Sequence, residues 1–151
     1  MIEEKIKELG FELPEVAKPL AAYIPAKQVG NLVMTSGQVP LVKGVINYAG
    51  KVGSELSEDE GQKAAQICAL NCLAAIKGVI SDLDKIVEIV KLTVFVASSA
   101  DFTAQPKVAN GASELIGKIF GEPGMHVRSA VGVTALPLNA SVEIEMIVRV
   151  E

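Results

Sequence analysis

Near the end of this 151-residue chain, charged side chains interrupt an otherwise apolar alternation. His126 and Arg128 open the stretch, and Glu143 and Glu145 sit in the middle of its second half. By residue type these groups could do anion binding and acid–base chemistry. A guanidinium is a planar, permanently charged fork, a carboxylate can take or give a proton, and an imidazole exchanges protons near neutral pH. His126 is the sole histidine. Charges inside a strand are either solvated or held for a purpose, and a histidine at a strand start can be a rim residue. Spacing alone leaves both readings open.

The elements that carry these residues read as strands at 127–135 and 141–150, turning at 136–139. In the last strand Val142, Ile144, Met146 and Val148 alternate with Glu143, Glu145, Ile147 and Arg149. In the strand before it, Val131, Val133 and Ala135 alternate with Arg128, Ala130, Gly132 and Thr134. Read as a hairpin with a two-residue turn at Leu138-Asn139, only one register brings both apolar sets together under a helical layer. That register places Arg128, Glu143 and Glu145 on the opposite face, with His126 beside Arg128 by strand parity. It sets Glu143 across from Thr134, six residues from Arg128, or roughly 20 Å at ~3.3 Å per residue. Within one chain the two would not touch, so joint action requires a subunit interface. The second face is small and polar in places yet includes Ile147, a mixture suited to burial against another subunit.

Further upstream, residues 2–9 predict a helix ended by Gly10, and "PEVAKPLAAYIPAKQVG", with three prolines, reads as a loop. "NLVMTSGQVP" reads as a strand, followed by a second at 45–48. Ser57 with Glu60 forms a capping box, and the acidic residues 58–60 suit a helix N-terminus. The helix that follows is apolar on nearly every side and predicts burial. "IVEIVKLTVFVAS" is the strongest strand, and a helix over 106–120 starts at Pro106. The order α, β, β, α, β, α, β, β predicts one domain of α+β class: a mixed sheet with helices packed on one face.

Composition narrows the function. Hydrophobic residues are 50% and charged residues 21%, which suits a packed domain. The net charge of −4 argues against a nucleic-acid surface, which needs clustered Lys and Arg. No apolar run approaches the ~20 residues of a membrane span, and the N-terminus does not read as a signal peptide. Cys68 and Cys72, four apart on one helical face, read as buried packing; one histidine cannot complete a structural zinc site with them. A cytoplasmic location is expected, with no metal.

Three segments, "GNLVMTSGQVP", "TVFVAS" with "ADF", and "VRSAVGVTALPLNASVEIE", resemble the Rid family (YjgF, or L-PSP endoribonuclease). The likeness runs from about Ala21 to Val150. It implies a chorismate-mutase-like fold, a homotrimer with clefts between subunits, and cofactor-free hydrolysis of 2-iminoacids to 2-ketoacids and ammonia. Arg128 matches the arginine that holds a substrate carboxylate, and Glu143 the glutamate that positions water. Tyr23 and Ser36 match cleft residues, the backbone near Gly37 is a source of donors, and Asn110 is the counterpart of an asparagine on the second helix. His126 is a further binding candidate. Ala130 stands where the family commonly has a cysteine, and Gly-Met-His-Val precedes Arg128 where a Pro-containing segment is usual. The alternative is a non-catalytic trimer that binds a small carboxylate or regulates. RNA cleavage, suggested by an older family name, sits badly with the acidic charge.

Overall fold

The structure, a computed structural model, describes residues 1–16 and 22–151. A short helix α1, Ile2–Glu8, leads into strands β1 (Ala26–Val29) and β2 (Leu32–Thr35). A two-strand hairpin, β3 (Leu41–Val42) and β4 (Val45–Ile46), precedes helix α2, Glu58–Ile80. Strand β5 (Ile86–Ala97), helix α3 (Gln105–Phe120), strand β6 (Val127–Val133) and strand β7 (Val142–Val150) complete the order. Five strands form one mixed sheet in the order β1-β2-β7-β5-β6, in which only β5 and β6 run parallel. This is the α+β arrangement of helices on a mixed sheet that the element order predicts.

Helix α2 starts as its capping box requires. The Glu60 amide donates to Ser57 Oγ and the Ser57 amide to Glu60 Oε1, both at 3.1 Å. It is long and apolar enough to cross a membrane by length and composition alone, but 67% of its most apolar window is buried inside the fold, as befits a core helix. Its two cysteines bond it directly to the backbone of the sheet. The Cys68 thiol donates to the Val142 carbonyl at 3.5 Å and the Cys72 thiol to the Ile144 carbonyl at 3.3 Å. Burial pushes the Cys72 thiol up to about 12 and raises that of Cys68 as well, so neither is a nucleophile. Helix α3 comes equally close to α2. A Cβ on Gly111 would lie 2.3 Å from the Gln62 carbonyl oxygen, so only glycine fits.

Two parts of the sheet depart from the sequence reading. Residues 26–29, read as loop behind Pro25, form edge strand β1, joined to β2 by a two-residue turn at Gly30-Asn31 in which Gly30 has φ +62. The larger correction concerns the closing hairpin, which does not form. Helix α3 carries the chain back along β5, so β6 pairs with β5 in parallel. The chain then steps over β5, and β7 inserts between β5 and β2. Side-chain size gives the reason. The inward row of β7 is Val142, Ile144, Met146, Val148 and Val150, all buried, whereas β6 turns only Arg128, Ala130 and Gly132 toward the helices. Bulky residues take the sheet centre, and a small, charged row takes the edge.

Candidate active site

The true pairing also corrects the face on which Arg128 lies. Arg128 is level with Leu92, which is level with Met146. Paired residues point the same way, and Leu92 and Met146 are fully buried under the helices. Arg128 is therefore on the helical side of the sheet. Glu143 is level with Phe95 and Val131, on the helix-free side, and Glu145 shares that side. The expectation of one common face fails because β6 and β7 never pair. The separation within one chain survives for a different reason. Glu143 lies two strands across and three residues along from Arg128, roughly 14 Å by standard strand spacings, and on the opposite face.

Around Arg128 the chain builds a set of acceptors. Pro106, Asn110 and Ser113 recur at four- and three-residue intervals, which puts them along one face of α3. Arg128 Nη1 donates to Asn110 Oδ1 at 2.9 Å and to Ser113 Oγ at 3.1 Å, and Nη2 donates to the Pro106 carbonyl at 3.3 Å. The end of the guanidinium thus abuts the helix. Among the described residues its Nε–H and remaining Nη2–H have no partner. Nε and Nη2 together bound the side edge of the guanidinium, the edge that grips a carboxylate in bidentate fashion. Asn110, expected as a binding residue, contacts the guanidinium. Ser113 was not anticipated; its signal was a polar residue one turn beyond Asn110 on the same half-buried helix face. His126 sits behind Ser113, with Nε2 2.9 Å from Ser113 Oγ and Nδ1 2.6 Å from the Gly124 carbonyl. Both ring nitrogens are engaged within the chain.

Glu143, Ser36, Gly37 and Tyr23 gather at the other end of the sheet. The β2–β7 ladder runs to Met34 opposite Ile147 and resumes at Gln38 opposite Ile144. Three residues of one segment face two of β7, which makes a β-bulge, a feature that often re-aims the chain beside a site. Thr35 Oγ1 repairs the ladder by accepting from the Met146 amide at 3.0 Å. The bulge lays Gly37 against the Glu143 side chain, where a Cβ would come within 2.7 Å of Glu143 Cδ. Ser36 Oγ donates to the Pro25 carbonyl at 3.2 Å. Ser36, exposed Tyr23, Ile24 and Met34 line a shallow depression of about 460 Å³.

Glu143 is half-buried, and among the described residues no hydrogen bond or ion pair reaches its carboxyl. Burial, and then the charge of Glu145, hold its pKa above the usual carboxylate value. A carboxyl in that state is suited to proton exchange. No group of three or more His, Cys, Asp or Glu side chains that could hold a metal occurs among the described residues.

Comparison with known proteins follows the same lines. Residues 3–149 match a family model described as YjgF/chorismate mutase-like, with an endoribonuclease label attached. Protein TCP17 of Trypanosoma cruzi is 41% identical over 149 residues, covering 98% of this chain and 93% of that protein. A 2-iminobutanoate/2-iminopropanoate deaminase of Dermatophagoides farinae is 31% identical over 138 residues, covering 91% and 93%. The crystal structure of protein Atu1372 of Agrobacterium tumefaciens superposes with a TM-score of 0.94 at 47% identity, covering 99% of this chain and 92% of that one.

Proposed function

The chain belongs to the YjgF/chorismate mutase-like (Rid) family, and on that premise we propose that it hydrolyses small 2-iminoacids to 2-ketoacids and ammonia in clefts between subunits of a cytoplasmic homotrimer. The observation that carries the reading is the guanidinium of Arg128, braced by α3 through Nη1 and one Nη2 hydrogen, with Nε and the second Nη2 hydrogen left unpartnered among the described residues. The deaminase relative supports the reaction class.

In this reading the substrate carboxylate docks on Nε and Nη2 of Arg128, and Glu143 comes from the neighbouring copy. Glu143 takes a proton from water as the water oxygen bonds to the imine carbon. The C=N π electrons move to nitrogen, which gains a proton from solvent, and a carbinolamine forms. Glu143 then returns its proton to the nitrogen, the C–N bond breaks, and the hydroxyl oxygen closes to the ketone as its proton is released. Water is consumed, and one 2-ketoacid and one ammonia leave. Ser36, Gly37 and Tyr23, on the Glu143 side, shape the wall that receives the substrate side chain. The helix-free face exposes Val127 at 65% and Val131 at 45% beside half-buried Phe95 and Ile147. Burying such a patch is what subunit association would accomplish.

The test generates 2-iminobutanoate in situ with an L-amino-acid oxidase and follows 2-ketobutyrate formation. The protein should raise the rate above the buffer reaction in proportion to its concentration. A rate equal to buffer at every concentration would end the proposal.

A further inference from the structure

We propose that Ser113 is a positioning residue for the Arg128 guanidinium and that His126 fixes the direction in which the Ser113 hydroxyl donates; this rests on reading Arg128 as the carboxylate anchor. Neither residue needs to touch substrate for this role.

The proton assignments follow from what each atom can do. The Gly124 carbonyl only accepts, so at 2.6 Å the hydrogen lies on His126 Nδ1. The guanidinium only donates, so Ser113 Oγ accepts from Nη1 at 3.1 Å. In the neutral ring Nε2 is then a lone pair, and the Ser113 hydroxyl hydrogen points to it at 2.9 Å. The chain Arg128 to Ser113 to His126 to the Gly124 carbonyl thus has one direction throughout.

Its far end is firmly anchored. Gly124 closes the turn after α3 and is buried; a Cβ there would lie 2.8 Å from the Ile116 carbonyl oxygen, so the turn packs against the helix without slack. The fixed carbonyl sets the imidazole, the imidazole sets the hydroxyl rotor, and the rotor presents a lone pair to Nη1. Without it, Asn110 and the Pro106 carbonyl still hold the guanidinium end, but the second Nη1–H is unanswered and the group can rotate about Cδ–Nε. That rotation tilts the open edge away from the substrate carboxylate.

His126, as the sole histidine, gives an unambiguous spectroscopic report. Imidazole 15N spectra at neutral pH should show the Nδ1–H tautomer, and Ser113→Ala should shift the Nε2 resonance. Binding of 2-ketobutyrate by calorimetry supplies the second readout. Ser113→Ala and His126→Ala should each weaken it about tenfold, the size of one hydrogen bond to a charged group. Ser113→Thr, which keeps the hydroxyl, and His126→Gln, whose amide oxygen can replace Nε2 as acceptor, should bind within about twofold of wild type. An Nε2–H tautomer overturns the proposal. So does wild-type affinity in Ser113→Ala while Arg128→Ala loses binding, which leaves the anchor reading intact. Absence of binding by the wild type, or undiminished binding by Arg128→Ala, removes the anchor reading and the positioning role with it.

Discussion

The two ends of the sheet treat their charged residue in opposite ways. At the β6 edge, three acceptors from α3 answer Arg128, and His126 stands behind one of them, Ser113. At the β2–β7 bulge, Glu143 is held by shape alone: Gly37 yields space to its side chain, and Glu145 adds a second negative charge on the same face. The contrast separates two jobs. A group that grips must be fixed before its ligand arrives, because ordering it later costs affinity. A group that exchanges protons must have neither charge state locked in by a partner, and desolvation without compensation achieves that.

Direct removal of each group gives the largest expected effects. Arg128→Ala should lower kcat/KM for 2-iminobutanoate on the order of 10³-fold and abolish 2-ketobutyrate binding, as loss of a charged anchor does. Glu143→Gln, nearly the same shape, should lower kcat about 10²-fold and leave 2-ketobutyrate affinity within about twofold. Equal binding losses in both variants would erase the distinction between gripping and reacting.

A smaller effect probes shape. Gly37→Ala places a methyl 2.7 Å from the Glu143 carboxyl carbon, and the displaced carboxyl should cost about tenfold in kcat with little change in affinity. An unchanged kcat would mean that Glu143 need not stay where the bulge holds it.

The smallest effect is electrostatic and appears mainly in the pH profile. Glu143 acts as a base only when ionised, so activity falls as pH drops through its raised pKa. Glu145 contributes to that elevation. Glu145→Gln should therefore move the acid limb to lower pH and leave the plateau within about twofold, because exposed charges couple weakly. A limb that stays in place or moves to higher pH would contradict this origin.

Much of this architecture was readable from local chemistry. The Ser57–Glu60 box, the all-round apolar helix after it and the β-branched run of β5 each declare themselves within a few residues. Arg128 and Asn110, named on family resemblance, do meet. The pairing of β6 and β7 was not readable in the same way. Alternation says which residues share a face, not which strand lies next door, and the order of the sheet was decided by the return path of α3. Ser113 stayed hidden for the same reason, since its value depends on α3 docking over β6. Gly37 read as a source of backbone donors, and its packing constraint stayed hidden because it comes from a side chain more than a hundred positions away.

The central claim is that the gripping half and the reacting half of each site come from different copies of the chain. Arg128→Ala and Glu143→Gln proteins, each inactive alone, can be unfolded, mixed in equal amounts and refolded together. Random assembly with one arginine half and one glutamate half per cleft restores both intact halves in about a quarter of clefts, so the mixture should recover about a quarter of wild-type activity. A mixture that stays as inactive as its components, while forming the same mixed assemblies, would contradict the account.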